Sequence, residues 1–188
     1  MSDLFNEALA FAMKAHEGVT RKGVDVPFIL HPMEVACIVA TMTENKTVMA
    51  AGLLHDTVED AEVTIEEIRN KFGEDVAKLV ESETEDKMRD LLPEDSWDIR
   101  KKESLNVLKA AESRNIKILW LSDKLSNMRS FYRLYLKKGD DMWESFHQRD
   151  VKKQEWYYRK VYEYTSELAG NQAYTEYGEL IEKVFGRE

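Results

Sequence analysis

The chain has 188 residues, 43% of them hydrophobic and 34% charged, with a formal net charge of -9 at pH 7. That size and balance fit one soluble globular domain and exclude a disordered chain. The negative charge argues against general binding to nucleic acid or to an anionic membrane surface, while leaving room for a local basic pocket. Cys37 is the only cysteine, so an internal disulfide and a thiolate metal cluster are both excluded.

Residues 3–17 read as an amphipathic helix with Leu4, Phe5, Ala8, Leu9, Ala12 and Met13 on its apolar stripe. This start lacks the basic and apolar blocks of a signal peptide. No apolar run approaches the roughly 20 residues that cross a bilayer, so a reducing, cytoplasmic setting is expected. Residues 18–30 form a loop carrying Arg21-Lys22-Gly23, where two bases beside a glycine can hold a phosphate. His31-Pro32 opens the next helix, proline suiting the first helical position. Val35, Ala36, Ile38, Val39 and Met42 continue it as core, and the apolar neighbours of Cys37 place that residue in the core as well.

Asn45 is the expected N-cap of a third helix. It is apolar from Val48 to Leu54 and is expected to run on through His55-Asp56-Thr57-Val58-Glu59-Asp60. Four-residue spacing would then put His55 below Glu59 and Asp56 below Asp60. Thr64 and Glu67 have the spacing of a capping box for a short helix that Gly73 ends. A further helix carries Val76, Leu79 and Val80, and the acidic residues 81–96 read as loop or frayed helix. Residues 98–112 are expected to be helical, with Leu105 and Leu108 inward. A long buried helix follows from Ile116 past Leu134, bearing Asp123 and Asn127 four residues apart. The remainder is helical, with Trp143, Phe146, Trp156, Tyr157, Val161, Tyr164 and Leu168 as packing residues and a final helix from Tyr174 to Phe185. The expectation is a single all-α domain over residues 1–188.

Acids crowded at the end of an apolar helix are costly unless a cation or hydrogen bonds offset them. His31, His55, Asp56 and Asp123 each fall at or near the end of a buried segment. They make a nitrogen and oxygen set without sulfur, which suits Mn²⁺, Fe²⁺, Zn²⁺ or Mg²⁺, the histidines leaning away from Mg²⁺ and Ca²⁺. Glu59 and Asp60, one turn further on, are placed to orient or deprotonate a water. His16 and His147 have no comparable partners and read as structural or exposed. There is no Ser-His-Asp or Cys-His arrangement and no phosphate-binding glycine loop.

His31, His55-Asp56 and Asp123 resemble the H…HD…D signature of the HD superfamily of metal-dependent phosphohydrolases. Ala15-His16-Glu17-Gly18, Arg21-Lys22, Pro27 to Pro32, Leu53 to Asp60, Glu85-Asp86-Lys87 and Asp123 to Arg129 further resemble the hydrolase domain of the RelA/SpoT family. The likeness is closest to its small stand-alone alarmone hydrolases, of the metazoan SpoT type, and runs over nearly the whole chain. The resemblance implies an all-α HD fold and Mn²⁺-dependent removal of the 3′-pyrophosphate of guanosine tetra- or pentaphosphate. It implies that His31, His55, Asp56 and Asp123 bind the metal and that Glu59 and Asp60 position and activate the water. Arg21 and Lys22 would neutralise the pyrophosphate, Asn127 would contact the nucleotide, and Lys87 and Arg149 are further candidates for phosphate contact. Ser126 departs from the pattern, standing where many members carry histidine. No room remains after residue 188 for a synthetase domain, so a hydrolase without synthetase activity is expected. Its partner would be a small phosphorylated nucleotide, with no nucleic acid or membrane, and a homo-oligomer is not readable from sequence. The alternatives are the same chemistry on another phosphorylated nucleotide, such as the 2′-phosphate of NADPH, and a non-catalytic nucleotide sensor or helical interaction module.

Overall fold

Small side chains let the first helices approach closely. The computed structural model describes residues 3–21, 23–88 and 90–186. Helix α1 (Leu4–Ala15) turns the fully buried Ala8 and Ala12 toward α3 (Lys46–Leu54). Helix α2 (Leu30–Ala40) crosses α3 at Gly52, where a Cβ would lie only 3.3 Å from Ala36 Cα. Asn45 caps α3 as expected, accepting from Thr47 N at 2.9 Å. After a turn at His55-Asp56 comes the single-turn α4 (Thr57–Asp60), then α5 (Ile65–Phe72), whose Thr64–Glu67 capping box is complete. Gly73, at φ +92°, ends α5 and leads directly into α6 (Glu74–Glu83), a backbone conformation that glycine adopts without steric cost.

Helix α7 (Pro93–Ala110) starts earlier than expected, because Pro93 sits in its first turn, where a missing N–H costs nothing. The long helix α8 (Arg114–Lys138) is the axis of the molecule. Its residues Ile118 to Leu121, Leu125 and Met128 are buried against α2, α3, α6 and α10. Trp120 Nε1 donates to the Ser82 carbonyl at 3.1 Å and pins α6 to α8. A 3₁₀ segment (Gly139–Ser145) and α9 (Val151–Tyr164) follow, then a short 3₁₀ turn and α10 (Gln172–Phe185). Trp143, Phe146 and Tyr158 surround Phe131, with ring centroids 4.9–5.4 Å away, and close this end with an aromatic cluster.

The described residues are all-α, with one isolated β-bridge between Thr20 and Pro27. Among them no helix is long and apolar enough to cross a membrane. Three expected core positions face outward instead. Cys37 is exposed, because Val35, Ala36, Ile38 and Val39 already fill the inward face of α2. Met13 is exposed because Ala8 and Ala12 set the buried line of α1, and Phe11 rather than Met13 packs against Phe72. Trp156 lies on the outer side of α9, whose inward face is Gln154, Tyr157, Tyr158 and Val161.

Candidate metal centre and active site

The stretch His55 to Asp60 is not one continuous helix. His55 Nδ1 bonds the Gly52 carbonyl at 2.9 Å and Thr57 Oγ1 donates to the Leu54 carbonyl at 2.7 Å. These side chains satisfy the last carbonyls of α3, so the helix can stop at Leu54 and turn. The i to i+4 bond from Asp60 N to Asp56 O, at 2.9 Å, survives across the turn. Both His55 and Asp56 are thereby aimed at one point.

Two further helices reach the same point. His31, in the first turn of α2, has its Nε2 3.0 Å from Asp123 Oδ1 and 3.4 Å from Asp56 Oδ2. His55 Nε2 lies 3.2 Å from Asp56 Oδ2 and 3.6 Å from Asp123 Oδ1. One ligand atom from each of His31, His55 and Asp123 falls within 4.8 Å of the others, all three residues being buried. Asp56, the fourth expected ligand, borders the same space through its Oδ2 contacts.

The hydrogen bonds test whether a cation belongs there. A carbonyl only accepts, so His55 Nδ1 must carry the proton and Nε2 keeps its lone pair. That Nε2 is buried and makes no well-directed hydrogen bond, although two carboxylates adjoin it. Imidazole lone pairs and carboxylates converging on one buried space need a proton or a cation between them. The residues therefore fit a divalent ion held by nitrogen and oxygen. In its absence burial disfavours protonating His55, but Asp56 and Asp123 outweigh burial and raise its pKa well above the ordinary value. Burial dominates at His31, whose pKa is lowered against the pull of Asp123. Asp123 is held well below the usual carboxylate range: burial opposes this, and Lys124, His31 and His55 overcome it.

Glu59 and Asp60 stand beside this cluster and are held by a single cation. Lys87 Nζ lies 2.7 Å from Glu59 Oε1 and 2.9 Å from Asp60 Oδ1, and Glu85 N donates to Glu59 Oε2 at 3.3 Å. Burial nevertheless raises the Glu59 pKa, with Lys87 opposing. Lys87 is thus engaged with the two acids expected to handle water rather than standing free for phosphate.

These groups, His55 apart, line a cleft of about 850 Å³, within the size range of small-molecule sites. Helix α8 forms its floor: Asp123, Asn127, Ser130, Leu134 and Lys137 recur every three or four residues along one face. Arg21 lines the cleft and donates to Asn127 Oδ1 at 3.2 Å and Ser130 Oγ at 3.0 Å, its guanidinium 5.7 Å from the Phe28 ring centroid. Asn127 Nδ2 donates in turn to Asp123 Oδ1 at 2.8 Å, linking the basic wall to the His and Asp cluster. Lys22 lies outside the described residues. Arg149 is exposed and does not line the cleft, so the structure does not bring it to the site. His147 is exposed, and His16 is buried against Phe28 with both ring nitrogens unpartnered.

Sequence reasoning missed two parts of the site. One is the wall made by Glu83, Trp97, Lys124 and Tyr157. There Lys124 bonds Asp123 Oδ2 and lies 3.6 Å from Glu83 Oε2. Burial pushes the Glu83 carboxyl up to about 8, because Lys124 is committed to Asp123 and its longer contact to Glu83 does not offset desolvation. The other is the pair of Ser126 and Glu34 behind His31: His31 Nδ1 contacts Ser126 Oγ at 2.8 Å. The departure of Ser126 from the family pattern was the only signal of this pair in the sequence.

The HD-domain family model matches residues 8–150. The chain belongs to the HD-domain family. Its buried cluster of His31, His55 and Asp123 could hold a metal ion. Among curated relatives, it is 38% identical over 129 residues to a GTP pyrophosphokinase rsh of Brucella melitensis, a match covering 68% of this chain and 17% of that one. It is 37% identical over 125 residues to the guanosine-3′,5′-bis(diphosphate) 3′-pyrophosphohydrolase of Aquifex aeolicus, covering 66% and 17%. The chain thus spans about one sixth of the length of these relatives. Among solved structures, lmo0812 of Listeria monocytogenes superposes with a TM-score of 0.71 at 30% identity, covering 89% of this chain and 100% of that one. A metazoan orthologue of SpoT that hydrolyses ppGpp gives a TM-score of 0.77 over 97% of this chain and 96% of that one. At 24% identity, the latter likeness speaks to the fold.

Proposed function

We propose that this HD domain, taken as residues 1–188, is a Mn²⁺-dependent pyrophosphohydrolase acting on guanosine 3′,5′-bis(diphosphate) and the corresponding pentaphosphate. The reaction adds one water and releases pyrophosphate and GDP, or GTP from the pentaphosphate. What supports the reading most is the convergence of His31, His55, Asp56 and Asp123 on one buried point. The same cleft holds Glu59 and Asp60 on one side and Arg21 on another.

In this reading His31, His55, Asp56 and Asp123 hold the ion, which when bound polarises a phosphoryl oxygen and acidifies water. Glu59, with its raised pKa, takes the proton of the attacking water, and Asp60 orients that water. Lys87 keeps the two carboxylates together and limits their mutual repulsion. Arg21, with Lys22, neutralises the diphosphate being removed, and Asn127 sets the nucleotide against the metal-side carboxylate. A cytoplasmic location and a small nucleotide partner belong to the same proposal.

The test is a panel of nucleotides at equal concentration, including the tetraphosphate and NADPH, given to metal-stripped and Mn²⁺-loaded protein. Release of pyrophosphate and GDP from the tetraphosphate, only with metal, is the expected result. Selective phosphate release from NADPH would move the assignment to that substrate. Ligand binding without any turnover in metal-loaded protein would make the chain a sensor.

A further inference from the structure

A chain of hydrogen bonds runs from the C-terminal helix to the imidazole of His31. Glu176 on α10 takes Arg129 of α8 with both oxygens, from Nε and Nη2 at 2.6 Å each. The remaining Arg129 Nη1 donates to Glu34 Oε1 of α2 at 3.2 Å. Glu34 Oε2 accepts from Ser126 Oγ at 2.7 Å. Ser126 is fully buried, and its Oγ lies 2.8 Å from His31 Nδ1. The direction of every bond is fixed. Arginine only donates, and the carboxylate of Glu34 accepts at both oxygens. The Ser126 proton is therefore spent on Glu34, and its oxygen can only accept from His31. His31 must carry its proton on Nδ1, which leaves the Nε2 lone pair facing Asp56 and Asp123.

We propose that Glu34 is a positioning residue for the metal centre, acting through Ser126 to fix the tautomer and ring plane of His31. Glu34 touches no ligand atom of the cluster itself. Its grip on Ser126 does for His31 what the Gly52 carbonyl does for His55: each holds an Nδ1–H so that Nε2 stays free. Arg129, clamped by Glu176, orients Glu34 and makes the relay directional. The proposal rests on the metal-centre reading given above, and its test needs no nucleotide.

Glu34→Gln is the decisive variant because it preserves shape and reverses one bond. Arg129 still demands an acceptor, so the new amide turns its oxygen to Arg129 and its NH₂ to Ser126. Ser126 must then donate to His31 Nδ1, and the ring proton moves to Nε2, where it blocks the metal. Nitrogen-15 NMR of histidine-labelled, metal-free protein reads the tautomer, and calorimetry with Mn²⁺ reads the affinity. The expected result is an Nδ1–H tautomer at His31 in the parent chain and Nε2–H in Glu34→Gln. Mn²⁺ binding should weaken about 10- to 100-fold, with the melting temperature kept. Ser126→Ala should lose affinity by a similar factor, and Ser126→Thr, which keeps the hydroxyl, should recover it. These two replace Glu34→Gln as the test should that variant melt early. An unchanged tautomer, or a changed tautomer with parental affinity, overturns the proposal. Parent protein that binds no divalent ion overturns this proposal and the metal-centre reading together. Metal binding without nucleotide turnover removes only the substrate assignment.

Discussion

Glu59 and Asp56 are three residues apart and take different jobs in the proposed reaction. Asp56 borders the ligand space, while Glu59 is tied to Lys87 and the Glu85 amide. Glu59→Gln should lower kcat by about 10²- to 10⁴-fold, the usual worth of a general base, and leave Mn²⁺ affinity close to that of the parent. Asp56→Asn should lower both, and steady-state kinetics with parallel calorimetry separates the two patterns. Glu83 carries a pH dependence of its own. Its carboxyl has an ordinary value of 4.5 and is pushed up to about 8 in the folded chain. Between those values the folded state holds a proton that the unfolded state has released, so stability falls as pH rises through that window. In metal-free melts, Glu83→Gln should remove this fall: its melting temperature relative to the parent should climb from pH 5 to pH 8. The candidate metal ligands could be nominated from the sequence because two are adjacent and all end apolar segments. The partners of these groups were not, because they come from far along the chain. Lys87 reaches Asp60 from 27 residues away, and Ser126 reaches Glu34 from 92.

Helix type and order were readable from apolar periodicity, caps and glycines, and the structure keeps nearly all of them. What periodicity could not give was the break at His55-Asp56. Nothing in the apolar pattern reports that His55 Nδ1 and Thr57 Oγ1 will take backbone carbonyls and end α3. The same limit explains Cys37: its neighbours are apolar, but α2 turns it to the face opposite the core. At Gly52 the contact between α2 and α3 is tight for a methyl group, since Ala36 backbone atoms stand 3.3 and 3.4 Å from the Cβ position. Gly52→Ala should cost about 1–3 kcal/mol, as overpacking a dense interface does, measured by denaturant unfolding. Because the Gly52 carbonyl also holds His55, the same variant should weaken Mn²⁺ binding. Thr64→Ala, at the capping box of α5 and away from the cleft, should cost about 1 kcal/mol and leave metal binding alone.

At the scale of the whole molecule, α8 joins functions that the sequence shows only as separate residues. Its buried side anchors α2, α3, α6 and α10, and its open side is the cleft floor. The proposed metal ligand Asp123 sits at one end, Asn127 and Ser130 meet Arg21 one and two turns on, and Arg133 and Lys137 lie beyond. Because the helix is continuous from Arg114 to Lys138, the spacing of these groups is set by helical rise. Asp123 and Lys137 are about 21 Å apart along the axis at 1.5 Å per residue. Such a floor works as a fixed calliper. In the proposed reaction, a nucleotide that carries anionic groups at both ends of its sugar would meet the cation site and the distal bases together, whereas one charged at a single end would meet only half. Shortening the ligand should therefore act like removing the distal bases. Loss of the 5′-phosphates, or Arg133→Ala with Lys137→Ala, should raise KM and leave kcat nearly constant. The two changes made together should cost no more than either alone.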